Sequence, residues 1–239
     1  MRVLSAAALV ILLVASPLQS QAPQPGAESS SRVARGRVLG PEGRALRAID
    51  GPMSSILAGA AMPFAQAPSN PEGAFAIAGV AGPFRVTPLA SNTRFWLKSA
   101  MVDGVNAVDD PVTITGGRSV SDVEVVMSGD AAMMEGRVTD PRVAVTPAMV
   151  LVFTTDSQRW FYGSQYVRRS RAARDGAFAI PGLPPGDSHV VAVDDLPEDE
   201  SLTNLTSAEL LSDLIPRARR VRVLPAARLS VELPMRSIR

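Results

Sequence analysis

Apolar and polar positions alternate with period two in several stretches of this chain. Val123, Val125 and Met127 alternate with Asp122 and Glu124, and Leu229, Val231, Leu233 and Met235 alternate with Arg228, Ser230 and Glu232. Each pattern predicts a strand with one face in a core and the other in water. Arg220, Val221, Arg222 and Val223 follow the same rule, which points the two arginines outward. Glu72-Gly73 and Asp175-Gly176 each precede Ala-Phe-Ala-Ile. Glycine tolerates the positive φ of a tight turn, so each pair opens a strand. After the second such strand comes Gly182-Leu183-Pro184-Pro185-Gly186-Asp187, and prolines cannot continue a central ladder, so the strand stops there. One helix is predicted: Thr206-Ser207-Ala208-Glu209 reads as a capping box, Leu210, Leu211, Leu214 and Ile215 form an apolar stripe, and Pro216 ends it. Its default task is to cover a sheet edge or barrel end of the second half.

The same signals recur at a fixed distance. Glu72 to Val80 aligns with Asp175 to Leu183 at an offset of 103 residues, and Gly36-Arg37-Val38 matches Gly136-Arg137-Val138 at an offset of 100. A period near a hundred is too long for a solenoid unit and is the size of one β-sandwich. The pattern therefore predicts an all-β chain of two tandem sandwiches, residues 32–128 and 129–239, joined near Ser128 to Ala132.

The N-terminus adds a destination. Met1 and Arg2 precede an apolar run from Val3 to Ala15, and small residues follow at Ser16, Ser20 and Ala22. This is the pattern of a secretory signal peptide, residues 1–22, and it is too short for a stable membrane anchor. Gln21 to Ser31 is rich in Pro, Gly, Ser and Gln without apolar periodicity, so 23–31 reads as a linker. No later run approaches a membrane span, and the expected location is secreted or periplasmic, in a bacterial cell envelope.

Composition narrows the chemistry. Of 239 residues 46% are hydrophobic and 20% charged, enough for packed cores, while a net charge of +1 gives no basic field for nucleic acid. The chain has no cysteine, which excludes disulfides, thiol nucleophiles and thiolate metal sites.

The run Asp175 to Asp187, with the opening Gly136-Arg137-Val138-Thr139-Asp140, resembles the carboxypeptidase regulatory-like domain, a transthyretin-like (prealbumin-like) sandwich of the carbohydrate-binding-like kind. The first half is similar through Gly36-Arg37-Val38, the Pro41-Glu42-Gly43-Arg44 turn, Glu72 to Val80 and Phe95-Trp96-Leu97-Lys98-Ser99. The resemblance implies seven strands per copy and no catalytic activity, since such domains are appended to secreted peptidases and outer-membrane receptors whose chemistry lies elsewhere.

The residues themselves offer little catalysis. His189 is the only histidine, within the apolar run Ser188-His189-Val190-Val191-Ala192-Val193, which removes multi-histidine zinc sites and makes a structural role the expectation. Asp109-Asp110, Asp194-Asp195 and Glu198-Asp199-Glu200 lack calcium-loop spacing and read as solvated loops. Gly116-Gly117 has neither the Lys-Ser/Thr nor the helix of a phosphate loop. No catalytic residue, metal or cofactor is therefore expected. The candidate binding surface is Arg159, Trp160, Tyr162, Tyr166 and Arg168, where aromatics and arginines crowd together. If Arg159 to Tyr162 forms a strand, Trp160 and Tyr162 share one face and Phe161 takes the other. One assignment makes Trp160 an exposed platform; the other makes it core, with the arginines solubilising an edge strand. The expected function is a non-catalytic binding module for polysaccharide, peptide or another envelope protein. Two alternatives stand beside it: a noncatalytic accessory subunit of a secreted peptidase, and a structural spacer.

Overall fold

The computed structural model describes residues 33–44, 53–57, 65–67, 70, 72–78, 82–88, 94–114, 119–140, 142, 148–161, 163–194 and 208–237. The expected leader, the linker, Tyr162, Gly116-Gly117, the Glu198-Asp199-Glu200 cluster and the capping residues Thr206 and Ser207 lie outside them. The chain is all-β, two β-sandwiches in tandem with one short helix in the second.

In the first sandwich, one sheet has the order β4-β1-β9-β6-β7: β4 is Ala74–Ala78, β1 Val33–Leu39, β9 Val120–Ser128, β6 Trp96–Val102 and β7 Val105–Asn106. The facing sheet runs β3-β2-β5-β8, from Ala65–Ala67, Met53–Leu57, Gly82–Pro88 and Val112–Ile114. The second sandwich repeats this plan. β13 (Ala177–Leu183), β10 (Ala132–Val138) and β16 (Arg228–Leu233) form one sheet; β12 (Val167–Arg171), β11 (Met149–Thr154), β14 (Gly186–Val193) and β15 (Arg219–Val223) form the other. The two-residue β17 (Met235–Arg236) pairs in parallel with β14. The two copies share the expected seven strands, to which the first adds β6 and β7 and the second β17. In both, the first shared strand lies parallel to the last shared one, β1 beside β9 and β10 beside β16.

The copies differ in what separates the fifth common strand from the sixth. In the first, the hairpin β6-β7 intervenes and extends the sheet beyond β9. In the second, the helix α1 (Ala208–Leu214) holds that place, running into a 3-10 turn at Ile215–Arg217 that carries Pro216. Phe95 to Ser99 therefore belongs to an insertion and not to the repeated plan.

The repeated Gly-Arg-Val motif has a steric cause. A Cβ on Gly36 would lie 1.9 Å from the carbonyl oxygen of Val123, and one on Gly136 would lie 1.8 Å from that of Val231. Phe75 stands opposite Gly36 and Phe178 opposite Gly136, where the Phe178 ring comes within 3.1 Å of the position a Cβ would take. The turn glycines act as expected, with φ of 76° at Gly73 and 85° at Gly176. Each accepts a hydrogen bond from the next valine of the motif, Val38 at 2.7 Å and Val138 at 2.8 Å.

Alternation fills the cores. Val123, Val125 and Met127 are buried with Phe75, Phe84 and Leu97 in the first, and Val231, Leu233 and Met235 with Phe178, Ile180 and Val190 in the second. β11 and β14 are apolar on both faces. Val150, Val152, Val190 and Ala192 face inward, whereas Leu151, Phe153, Val191 and Val193 meet Leu211 and Leu214 of α1 on the outer face. The helix thus covers a sheet face and not an edge, because those two strands present a second apolar row that has to be buried.

Candidate functional site

The segment after β11 decides the fate of the aromatic and arginine cluster. Asp156 accepts a hydrogen bond from the Gln158 amide at 3.1 Å and starts a 3-10 turn over Ser157–Arg159. The chain is no longer extended there, so strand alternation does not apply to Trp160 and Phe161. Trp160 folds back onto β11: its ring meets Phe153 edge-on at 5.6 Å, and its indole N–H donates to the Thr154 carbonyl at 2.8 Å. It is 9% exposed. Trp160 is core and not an exposed platform. The loop closes on itself: the Ser164 hydroxyl donates to the Arg159 carbonyl at 2.6 Å, and the Thr154 amide donates to the Tyr166 carbonyl at 3.1 Å.

With Trp160 turned inward, the loop presents Arg159, Phe161, Gln165 and Tyr166 to the first sandwich. Gln165 makes a reciprocal pair with the backbone of Leu97, donating from Nε2 to its carbonyl at 2.7 Å and accepting from its amide at 2.9 Å. Both residues are buried. β7 covers only Met101 and Val102 of β6, so the side-chain amide of Gln165 stands in for a neighbouring strand at Leu97. Arg159 reaches Asp109 at 3.2 Å and Asp156 at 3.3 Å, and its guanidinium lies 4.5 Å from the centre of the Tyr166 ring. Arg85, on β5, sits 4.1 Å over the Phe161 ring and donates from Nε to the Asp109 carbonyl at 3.1 Å. Burial raises the Tyr166 hydroxyl above the ordinary tyrosine range.

Asp109 is held in place by its own hairpin. Asn106 Oδ1 accepts from the Ala100 amide at 3.0 Å, and the Asp109 amide donates to the Asn106 carbonyl at 3.3 Å. Asp109 is therefore half-buried between arginines and not a solvated loop residue. At the junction of the sandwiches, the Trp96 indole N–H donates to Asp130 Oδ1 at 2.7 Å, and the Ser128 hydroxyl donates to the same oxygen. These hydrogen bonds, that from Ser128 foremost, hold the Asp130 carboxyl below the usual aspartate range. The Asp130 carbonyl accepts from the Ala226 amide of the second sandwich at 2.7 Å. A crevice lined by Val86, Leu97, Val108, Phe161 and Tyr166 remains at this interface, with about 10 Å³ of free space, room for about one water.

Of the five candidate residues, Arg159 and Tyr166 meet in the interface, Trp160 lies behind it, and Tyr162 is outside the described residues. Arg168 stands apart on β12, largely buried, which lowers its pKa by desolvation. Sequence reasoning missed Gln165, Asp109 and Arg85 as partners of this segment. Their contacts with this segment join residues 50, 68 and 76 positions apart, for Asp109, Gln165 and Arg85 in turn, and no local pattern encodes such pairs. His189 packs against Phe153 at 5.3 Å, and burial first, then Arg220, lowers its pKa, so it is neutral near pH 7. Among the described residues no group of three or more His, Cys, Asp or Glu gathers as a metal set, and no helix is long and apolar enough to cross a membrane.

No protein-family model and no curated protein matches the sequence. Among solved structures, the chain is similar to a DUF3823 family protein from Parabacteroides merdae at 13% identity and TM-score 0.31, covering 68% of this chain and 91% of that one. It is similar to the minor pilin of Streptococcus agalactiae at 9% identity and TM-score 0.31, covering 87% and 96%. A streptococcal ancillary pilin overlaps at 12% identity and TM-score 0.31, over 87% of this chain and 63% of that chain. The chain spans about a third of the Bacillus anthracis TIE protein, 34% of its length, at TM-score 0.30. At such scores these overlaps identify neither a family nor an activity.

Proposed function

We propose that this chain is an exported, non-catalytic interaction module whose two sandwiches, both of the carboxypeptidase regulatory-like type, act as one fixed unit toward a protein partner outside the cytoplasm. The observation that carries this is the clamp of Gln165 on Leu97 and Arg159 on Asp109. A binding surface of free aromatics was the one feature that favoured polysaccharide. Of that cluster the described rings are occupied within the chain: Trp160 is buried, Phe161 lies under Arg85 and Tyr166 under Arg159. A fixed pair of sandwiches whose interface, among the described residues, leaves a crevice for about one water instead suits contact with a protein surface. The spacer alternative shares the fixed geometry and differs only in needing no specific surface.

The test is residue-specific crosslinking in the native compartment, from photoreactive side chains placed singly at exposed strand positions, run beside a glycan array. The expected result is crosslinking to one protein from neighbouring positions and no glycan signal. Saturable glycan binding by the purified protein contradicts the proposal, and crosslinks scattered evenly over both sandwiches favour the spacer.

A further inference from the structure

We propose that β12 is a docking edge for an extended acidic segment of a partner protein, which adds as a strand beside it and places a carboxylate on Arg168. This rests on the interaction-module reading and names its surface. β12 stands at the end of its sheet and, among the described residues, pairs only with β11. Its outward backbone groups are therefore a template for another strand. Its sequence, Val-Arg-Arg-Ser-Arg, carries three arginines in five residues.

The register sorts these arginines by face. Arg169 lies opposite Leu151, whose side chain is on the outer face, and Arg169 is exposed there. Arg168 lies opposite Val152, whose side chain is in the core between the sheets. Its Nε is buried with no hydrogen-bond partner, and its Nη2 only approaches the Gly182 carbonyl at 3.5 Å. Among the described residues neither Arg168 nor Arg169 forms an ion pair, whereas Arg220 at the opposite edge of the sheet is bonded to Asp187 at 2.9 Å. A desolvated guanidinium without a counter-ion is costly, and a carboxylate delivered from outside removes that cost. A strand added here turns adjacent side chains to opposite faces, so a segment with two adjacent acids sets one carboxylate on Arg169 on the outside and the other on Arg168.

The probe is a fluorescein-labelled peptide, Thr-Thr-Thr-Glu-Glu-Thr-Thr-Thr, with one acid for each face, titrated with the purified protein at low and moderate salt. Expected is saturable binding that weakens with salt, protection of the β12 amides from hydrogen exchange, and about a tenfold loss of affinity in Arg168→Gln and in Arg169→Gln. Arg168→Gln is also expected to melt no lower than the wild type, since it removes an unpaired buried charge. A peptide of the same charge with proline at alternate Thr positions is expected not to bind, because the added strand must donate its own N–H groups. Equal binding of the proline peptide, or of polygalacturonate, overturns the proposal in favour of charge attraction alone. So does unchanged affinity in both variants, or protection that maps elsewhere. If crosslinking in the native compartment finds one protein partner on a different edge, the interaction-module reading stands and β12 falls.

Discussion

Gly36 and Gly136 show how a single missing side chain sets a whole motif. At both, the backbone of the last strand comes so close that a Cβ would overlap a carbonyl oxygen. Gly136→Ala is therefore expected to prevent folding or to cost several kcal/mol, on the order of a severe core defect. Gly43, at φ 71° with nothing within 4 Å of a built Cβ, is the control: Gly43→Ala is expected to cost about 1 kcal/mol. Chemical denaturation of both measures the contrast, and equal losses contradict the steric account. Trp160 and Phe161 form a second pair. Trp160→Ala removes a buried ring and its hydrogen bond to Thr154 and is expected to cost roughly 3–5 kcal/mol. Phe161→Ala, at a half-buried position under Arg85, is expected to cost clearly less. Asp130 supplies the pH dependence. Its folded carboxyl titrates below its unfolded value, so on acidification the unfolded chain takes up the proton first. Its contribution is complete above the ordinary aspartate range of about 4 and is lost as pH falls through that range and below. Stability measured from pH 6 to pH 2 is expected to fall less steeply in Asp130→Asn than in the wild type; parallel curves contradict the assignment.

At the scale of elements, the strands were legible in the sequence because one buried face writes a period of two, as at Val123, Val125 and Met127. The turn glycines and the helix were legible for equally local reasons. The loop after β11 was not. Arg159 to Tyr166 has the residue types of a ligand surface, and what turns it into a clamp is the Asp156 cap that breaks the strand and the distant Leu97 edge that receives Gln165. Asp109 was misleading in the same way, since a pair of adjacent aspartates looks solvated until Arg159 and Arg85 arrive from other elements. Gln165→Ala tests the element directly. It leaves the buried amide and carbonyl of Leu97 unpaired, which is expected to cost about 1–3 kcal/mol, more than Gln165 alone would cost on an exposed surface. Hydrogen exchange at the Leu97 amide, expected to accelerate in the variant, distinguishes a lost cap from a general loss of stability.

For the whole molecule, the two cores are built from separate sheets, and the clamp lies between them. Residues 129–239 alone are expected to unfold cooperatively, with the loop 156–166 exchanging faster than in the full chain for want of Leu97 and Asp109. A fragment without a cooperative transition contradicts the division into two modules. The central claim is that Gln165 and Arg159 fix one sandwich against the other, and residual dipolar couplings test it most directly. In the full chain a single alignment tensor is predicted to fit the amides of both sandwiches, and in Gln165→Ala/Arg159→Ala two different tensors are predicted to be needed. Two tensors in the unaltered protein, or one shared tensor that survives both substitutions, contradict the account.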